Sequence, residues 1–175
     1  MELQAGKNIE KYLIGQVKMP IGEREWQRIA FEKGHGSAEN GIRVIRENLK
    51  KSFALSSSME EVRRNQELII GETGVRHEAN PTSPHRAFAN RLLLDLGSAL
   101  EDELGGEDSR YQPRFFTASG SELDLGGSFD FWVELFDRQT GKPIADYKVD
   151  IKTLPNQEPR NLADAVYYFD PKYIK

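Results

Sequence analysis

The sequence predicts an α+β fold, a helical N-terminal region followed by a mixed sheet. Three observations predict it. Apolar residues recur at helical spacing through roughly the first 105 positions. From Tyr111 onward they alternate with polar ones, as a sheet with distinct faces requires. The DRQTGKP turn then splits the last alternating stretch into an antiparallel hairpin at 128–153. At 175 residues the chain is long enough to bury one core and short for two. The expected organisation is one compact unit, with 1–80 as the helical region and 81–175 as an α/β sandwich-like core.

The helices are expected in four places. GEREWQRIAFEKG (22–34) sets Trp26, Ile29, Ala30 and Phe31 at helical spacing before a terminal Gly. SAENGIRVIRENLKKSF (37–53) carries Ile42, Ile45, Leu49 and Phe53 on one stripe behind a Ser37 cap. SSSMEEVRRNQELII (56–70) opens on a capping box of Ser57 and Glu60. SPHRAFANRLLLDLGSALEDELG (83–105) has Ser83 as cap and Pro84 in the first turn, with Gly105 after the end. The composition of GETGVRHEANP (71–81) is that of a loop. Strands are expected over 111–119, 128–136 and 144–153, with a turn and strand entry at 121–128. The tail from Asn161 is expected to start as a helix that stops near Pro171.

Composition removes several classes. There is no cysteine, which excludes disulfides, thiolate zinc sites, iron–sulfur clusters and a cysteine nucleophile. No segment reaches the ~20 apolar residues that span a bilayer, and MELQAGKNIEKYLIGQ has no signal-peptide core, so a cytoplasmic protein is expected. The net charge of -4 argues against a protein that coats nucleic acid by bulk electrostatics. It leaves room for a site that gathers carboxylates around a divalent cation.

The hairpin GSFDFWVELFDRQTGKPIADYKVDIKT (127–153) concentrates the chemistry. Phe129, Phe131, Val133 and Leu135 alternate with Asp130, Trp132, Glu134 and Phe136. On the return strand Tyr147, Val149 and Ile151 alternate with Asp146, Lys148, Asp150 and Lys152. Gly141 suits the left-handed position of a three-residue loop with a bulge, closed by Arg138 and Lys142. That register pairs Phe129 with Ile151, Phe131 with Val149 and Val133 with Tyr147. It also sets Asp130 against Asp150, with side-chain roots about 5 Å apart. Two carboxylates there repel unless a cation intervenes, and hard ions such as Mg²⁺ select carboxylate oxygens. Glu134 and Asp146 face each other on the same register and are expected to be solvated. The alternative for the whole strip is an amphipathic hairpin with a solvated charged face.

Asp130 followed by a hairpin into Asp150-Ile151-Lys152 resembles the PD-(D/E)xK nucleases, the restriction-endonuclease-like superfamily. The resemblance covers about 83–170 and rests on these few residues; the Pro of the family name is replaced by Phe129. It implies a metal-dependent nuclease with Asp130, Asp150 and Lys152 as catalytic residues. Asp130, Asp150 and the Ile151 carbonyl would hold Mg²⁺ or Mn²⁺, and Lys152 would orient or activate the attacking water. The helix preceding the strands often supplies a further acid in this family, for which Asp95, Glu101 and Glu103 are the candidates. The resemblance also implies a further helix and strand after Lys152.

The implied substrate is DNA, with RNA as the alternative and a homodimer as the candidate assembly. Arg76, His77, Arg86 and Arg91 make the 76–91 stretch locally basic and are candidate nucleic-acid contacts, joined by His85. His77 and His85 with Glu78 and Asn80 match no zinc spacing. Arg43, Arg46, Lys50, Lys51, Arg63 and Arg64 are weaker phosphate-contact candidates, better read as a solvated face. A non-catalytic nucleic-acid- or protein-binding module with the same architecture is the reading from another class.

Overall fold

A computed structural model describes residues 12–15, 17, 39–73, 80–104, 110–126, 129–152 and 162–169. The helix expected at 22–34, with Trp26, and the Ser37 and Asn161 caps lie outside them. Four strands form one mixed sheet in chain order: β1 (Tyr111–Thr117), β2 (Phe131–Asp137), β3 (Lys142–Lys152) and β4 (Ala165–Tyr168). β1, β2 and β3 are successively antiparallel, and β4 runs parallel to β3.

Helices cover both faces. Leu49 and Phe53 of α1 (Glu39–Ala54), with Val62 and Ile69 of α2 (Met59–Thr73), pack on Phe116, Ala118, Leu123, Phe129 and Trp132. Ala89 and Leu93 of α3 (Ala87–Leu104), with Leu13 and Ile14, pack on Phe115, Phe131, Val149 and Ile151 on the other side. The expected α+β class is therefore observed, as three layers with a mixed central sheet. Burying a Phe or Ile completely stabilises the fold by about 1.5–3 kcal/mol each.

Capping explains where the helices begin. α2 starts one residue later than its expected box, because Ser58 Oγ accepts from the Glu61 amide at 3.3 Å. The Glu61 carboxylate reaches back to the Ser57 amide at 2.9 Å. These bonds, the Ser57 amide's first, hold the Glu61 carboxyl below its ordinary pKa. α3 starts four residues after Ser83. Asn80 Oδ1 accepts from the Thr82 amide at 3.0 Å and the Asn80 carbonyl from Ser83, so this backbone is already used in a turn.

Two local expectations are corrected. The stretch expected as a strand entry contains a short helix, α4 (Glu122–Leu125), capped by Ser121, whose Oγ accepts from the Asp124 amide. The tail forms strand β4 where a helix was expected. Ala165-Val166-Tyr167-Tyr168 is rich in strand formers, and β3 offers it an unpaired edge. The Lys148 amide bonds Asp164 Oδ2 at 2.8 Å and the Asp164 amide bonds the Lys148 carbonyl at 2.9 Å, so the start of β4 is fixed on both sides.

The hairpin register is as expected from Phe131↔Val149 to Leu135↔Ala145. It then slips by one at a bulge between Leu135 and Phe136, and the strands close at Asp137↔Lys142. The loop therefore has four residues, with Gly141 at φ 68 as expected. Asp137 explains the slip. Its Oδ1 accepts from the Gln139 amide at 2.9 Å, and Arg110 grips the carboxylate with Nε at 3.0 Å and Nη2 at 2.6 Å. The Arg110 contact, helped by those turn amides, holds the Asp137 carboxyl far below the usual carboxylate range.

A folded pKa below the unfolded one gives stability that is complete above the unfolded value, about 4. That stability fades as the pH falls toward the folded value. The melting difference between wild type and Arg110→Ala is therefore expected to be largest above about pH 4 and to shrink below it. Melting curves across the acid range check this.

Candidate functional site

The chain bends at Asp130, one residue before β2 begins. The Asp130 carbonyl stays with β1, accepting from the Ala118 amide at 2.9 Å, while its own amide turns to the Val149 carbonyl at 3.0 Å. Its carboxylate accepts from the Ile151 amide at 2.5 Å. The expected pairing of Phe129 with Ile151 is thereby replaced. The Asp130 side chain takes the Ile151 amide, and Phe129 packs against Trp132 in the other core cluster, ring centroids 5.9 Å apart. A tight turn backs this arrangement: Gly120 sits at φ 90, and Ser121 donates from both its amide and its hydroxyl to the Ala118 carbonyl.

These bonds put Asp130 beside Asp150, since its partners are the residues on either side of it. Both carboxylates are completely buried. Lys152, two residues along β3 and on the same face as Asp150, places Nζ 2.8 Å from Asp150 Oδ2 with its side chain only 13% exposed. The three residues singled out by the sequence are thus brought together at one end of the sheet. Among the described residues they gather no third His, Cys, Asp or Glu.

The acids expected from the preceding helix are not brought to the pair. Asp95 and Glu101 are exposed on α3, as is Glu103, and Asp95 is held by Arg91 at 2.9 Å in a surface pair. α3 packs on Phe131 and Val149, the face opposite that of Asp150 and Lys152. Arg91 and His85 are exposed and Arg86 is half-buried, while Arg76, His77 and Glu78 lie outside the described residues.

Only part of the charged face of the hairpin is solvated. Trp132 is fully buried, stacked on Phe116 at 5.1 Å, so it cannot stack on a nucleic-acid base. Glu134, expected in water opposite Asp146, has no exposure. Arg63 of α2 grips it with Nη2 at 2.6 Å and Nε at 2.8 Å, and Arg114 Nη1 lies 3.5 Å away. Arg114 also pairs with Glu67 and stacks over Phe136 at 4.6 Å. Burial pushes the Arg114 guanidinium below its ordinary pKa, against the opposing effect of Glu134. α2 covers this half of the face, and a buried carboxylate needs such partners. Asp146 remains exposed and pairs with Lys148 at 2.6 Å. Arg63 is therefore engaged by Glu134; its spacing in the sequence held no signal of a partner 71 residues away.

A groove of about 570 Å³ opens between α3 and the sheet, lined by Leu92, Leu96, Leu100, Val133 and Leu135. It is apolar and lies on the face away from Asp150. No helix among the described residues is long and apolar enough to cross a membrane. No family model, curated protein or solved structure matches the chain.

Proposed function

We propose that the chain is a Mg²⁺-dependent nuclease with a restriction-endonuclease-like core, hydrolysing phosphodiester bonds in DNA. The observation that carries this reading is the neighbourhood of Asp130 and Asp150, both fully buried, with Lys152 2.8 Å from Asp150. Burying two carboxylates on adjoining stretches of chain is costly, and a bound cation would offset that cost. The order of elements supports the same reading: helix, strand, a hairpin bearing Asp and Asp-x-Lys, and a further strand.

The donor set fits a hard cation. Mg²⁺ keeps several waters and is commonly held through one or two carboxylates plus substrate phosphate, so the pair needs no third acid. Asp130 and Asp150 would hold it, joined by the Ile151 carbonyl. Bound there, the ion would supply positive charge for the phosphoryl oxygens and favour water as a nucleophile. Lys152 would donate a hydrogen bond to the attacking water or to the scissile phosphate. The Ile151 amide keeps the Asp130 carboxylate in place, so little reorganisation accompanies the reaction. Arg86 and Arg91 are the phosphate contacts offered by the described residues, and cutting of both duplex strands would call for a homodimer.

A second reading, a binding or assembly module without catalysis, is favoured by the apolar groove beside exposed Ile144 and Tyr147. Digestion of supercoiled plasmid, single-stranded DNA and RNA with Mg²⁺ or Mn²⁺, against an EDTA control, separates the two. Metal-dependent cutting is expected, strongest on DNA. No cutting of any substrate would leave the binding module as the better reading.

A further inference from the structure

Lys152 carries an inference that rests on the nuclease reading and goes beyond the lysine's part in hydrolysis. Two carboxylates that are fully buried must be neutralised whenever the site lacks its cation. In the structure the cation that does so for Asp150 is Lys152, whose ammonium lies 2.8 Å from Oδ2 and is largely shielded from water. The Asp130 carboxylate accepts from the Ile151 amide at 2.5 Å. Lys148, the other lysine of that face, is occupied elsewhere, 2.6 Å from Asp146 and 3.7 Å from Asp164.

We propose that Lys152 is an internal counter-ion that competes with the divalent cation for Asp150, so that metal binding displaces its ammonium from Oδ2. Metal uptake and the lysine's availability to the substrate are then one event. In the metal-free protein Lys152 neutralises the Asp150 carboxylate. In the loaded protein it is released toward water or phosphate, which keeps it from acting before the ion is present.

The test is calorimetric titration of Mg²⁺ into the whole protein without nucleic acid, comparing wild type with Lys152→Met, which keeps the apolar stem and removes the charge. The variant is expected to bind Mg²⁺ about ten-fold more tightly or better, because a competitor worth roughly one charge has gone. Its melting temperature is expected to fall without metal and to rise more than that of wild type when Mg²⁺ is added. Lys152→Gln, which keeps a donor for Asp150, gives the same comparison if the methionine variant folds only with metal present. A purely structural lysine would lower stability in both states and leave the affinity unchanged. Equal or weaker Mg²⁺ binding by the variants, with wild type binding normally, would overturn the counter-ion role alone. Absence of Mg²⁺ binding by wild type would overturn the nuclease reading and this inference with it.

Discussion

Asp150→Asn is expected to reduce metal-dependent cleavage by on the order of 10³-fold or more while leaving the protein folded. The asparagine keeps the shape of the side chain and removes the charge that holds the cation. Its cost in stability is expected to be about 1–3 kcal/mol, that of a shielded ammonium losing its charged partner while keeping an oxygen acceptor. Lys152, its side chain 13% exposed, keeps the asparagine oxygen as an acceptor in place of the carboxylate. Plasmid digestion beside a thermal melt reads both quantities from one preparation. Full cleavage by the variant would remove Asp150 from the site.

Glu134→Ala is expected to do the opposite, lowering stability with no direct contact to the chemistry. Its carboxylate is fully buried and gripped by Arg63 at 2.6 Å, with Arg114 beside it. Removing one partner of a buried pair leaves an uncompensated charge and costs about 3–5 kcal/mol. For a chain of this size each kcal/mol moves the melting temperature by roughly 2–4 °C, so a drop near 10 °C is expected. Arg63 is partly exposed and Arg114 keeps Glu67, which places the expectation toward the lower end of that cost. A melting temperature within a degree or two of wild type would show that the two arginines find water instead. The contrast between these variants separates two buried acids on neighbouring strands: one serves the site, the other the fold.

The difference between them also shows what the sequence could reveal. Period-two alternation carried the central register, and with it the neighbourhood of Asp130 and Asp150, although the expected three-residue turn closes instead as a four-residue loop with a bulge. The same alternation misassigned the environment of the second face. A charged strip looks alike whether water or a helix covers it, and the cover depends on where α2 settles. Arg63 and Arg114 reach Glu134 from another helix and another strand, through contacts that local spacing does not encode.

The bend at Asp130 was hidden for a related reason. A side chain replaces a backbone partner there, so Phe129 leaves its alternating row for the opposite cluster. The short helix α4 was missed where a strand entry was expected, although Ser121 and Asp124 have the spacing of a capped first turn. Strand β4 was missed as well, because four residues acquire their conformation from the edge of β3.

Crystals soaked in Mn²⁺, with anomalous diffraction recorded at the manganese edge, would test the proposed centre most directly. A peak within coordinating reach of the Asp130 and Asp150 carboxylates is expected, with the Lys152 ammonium moved off Asp150 Oδ2. No peak there at saturating Mn²⁺, with Lys152 still on Asp150, would contradict the assignment of this hairpin as a metal-dependent nuclease site.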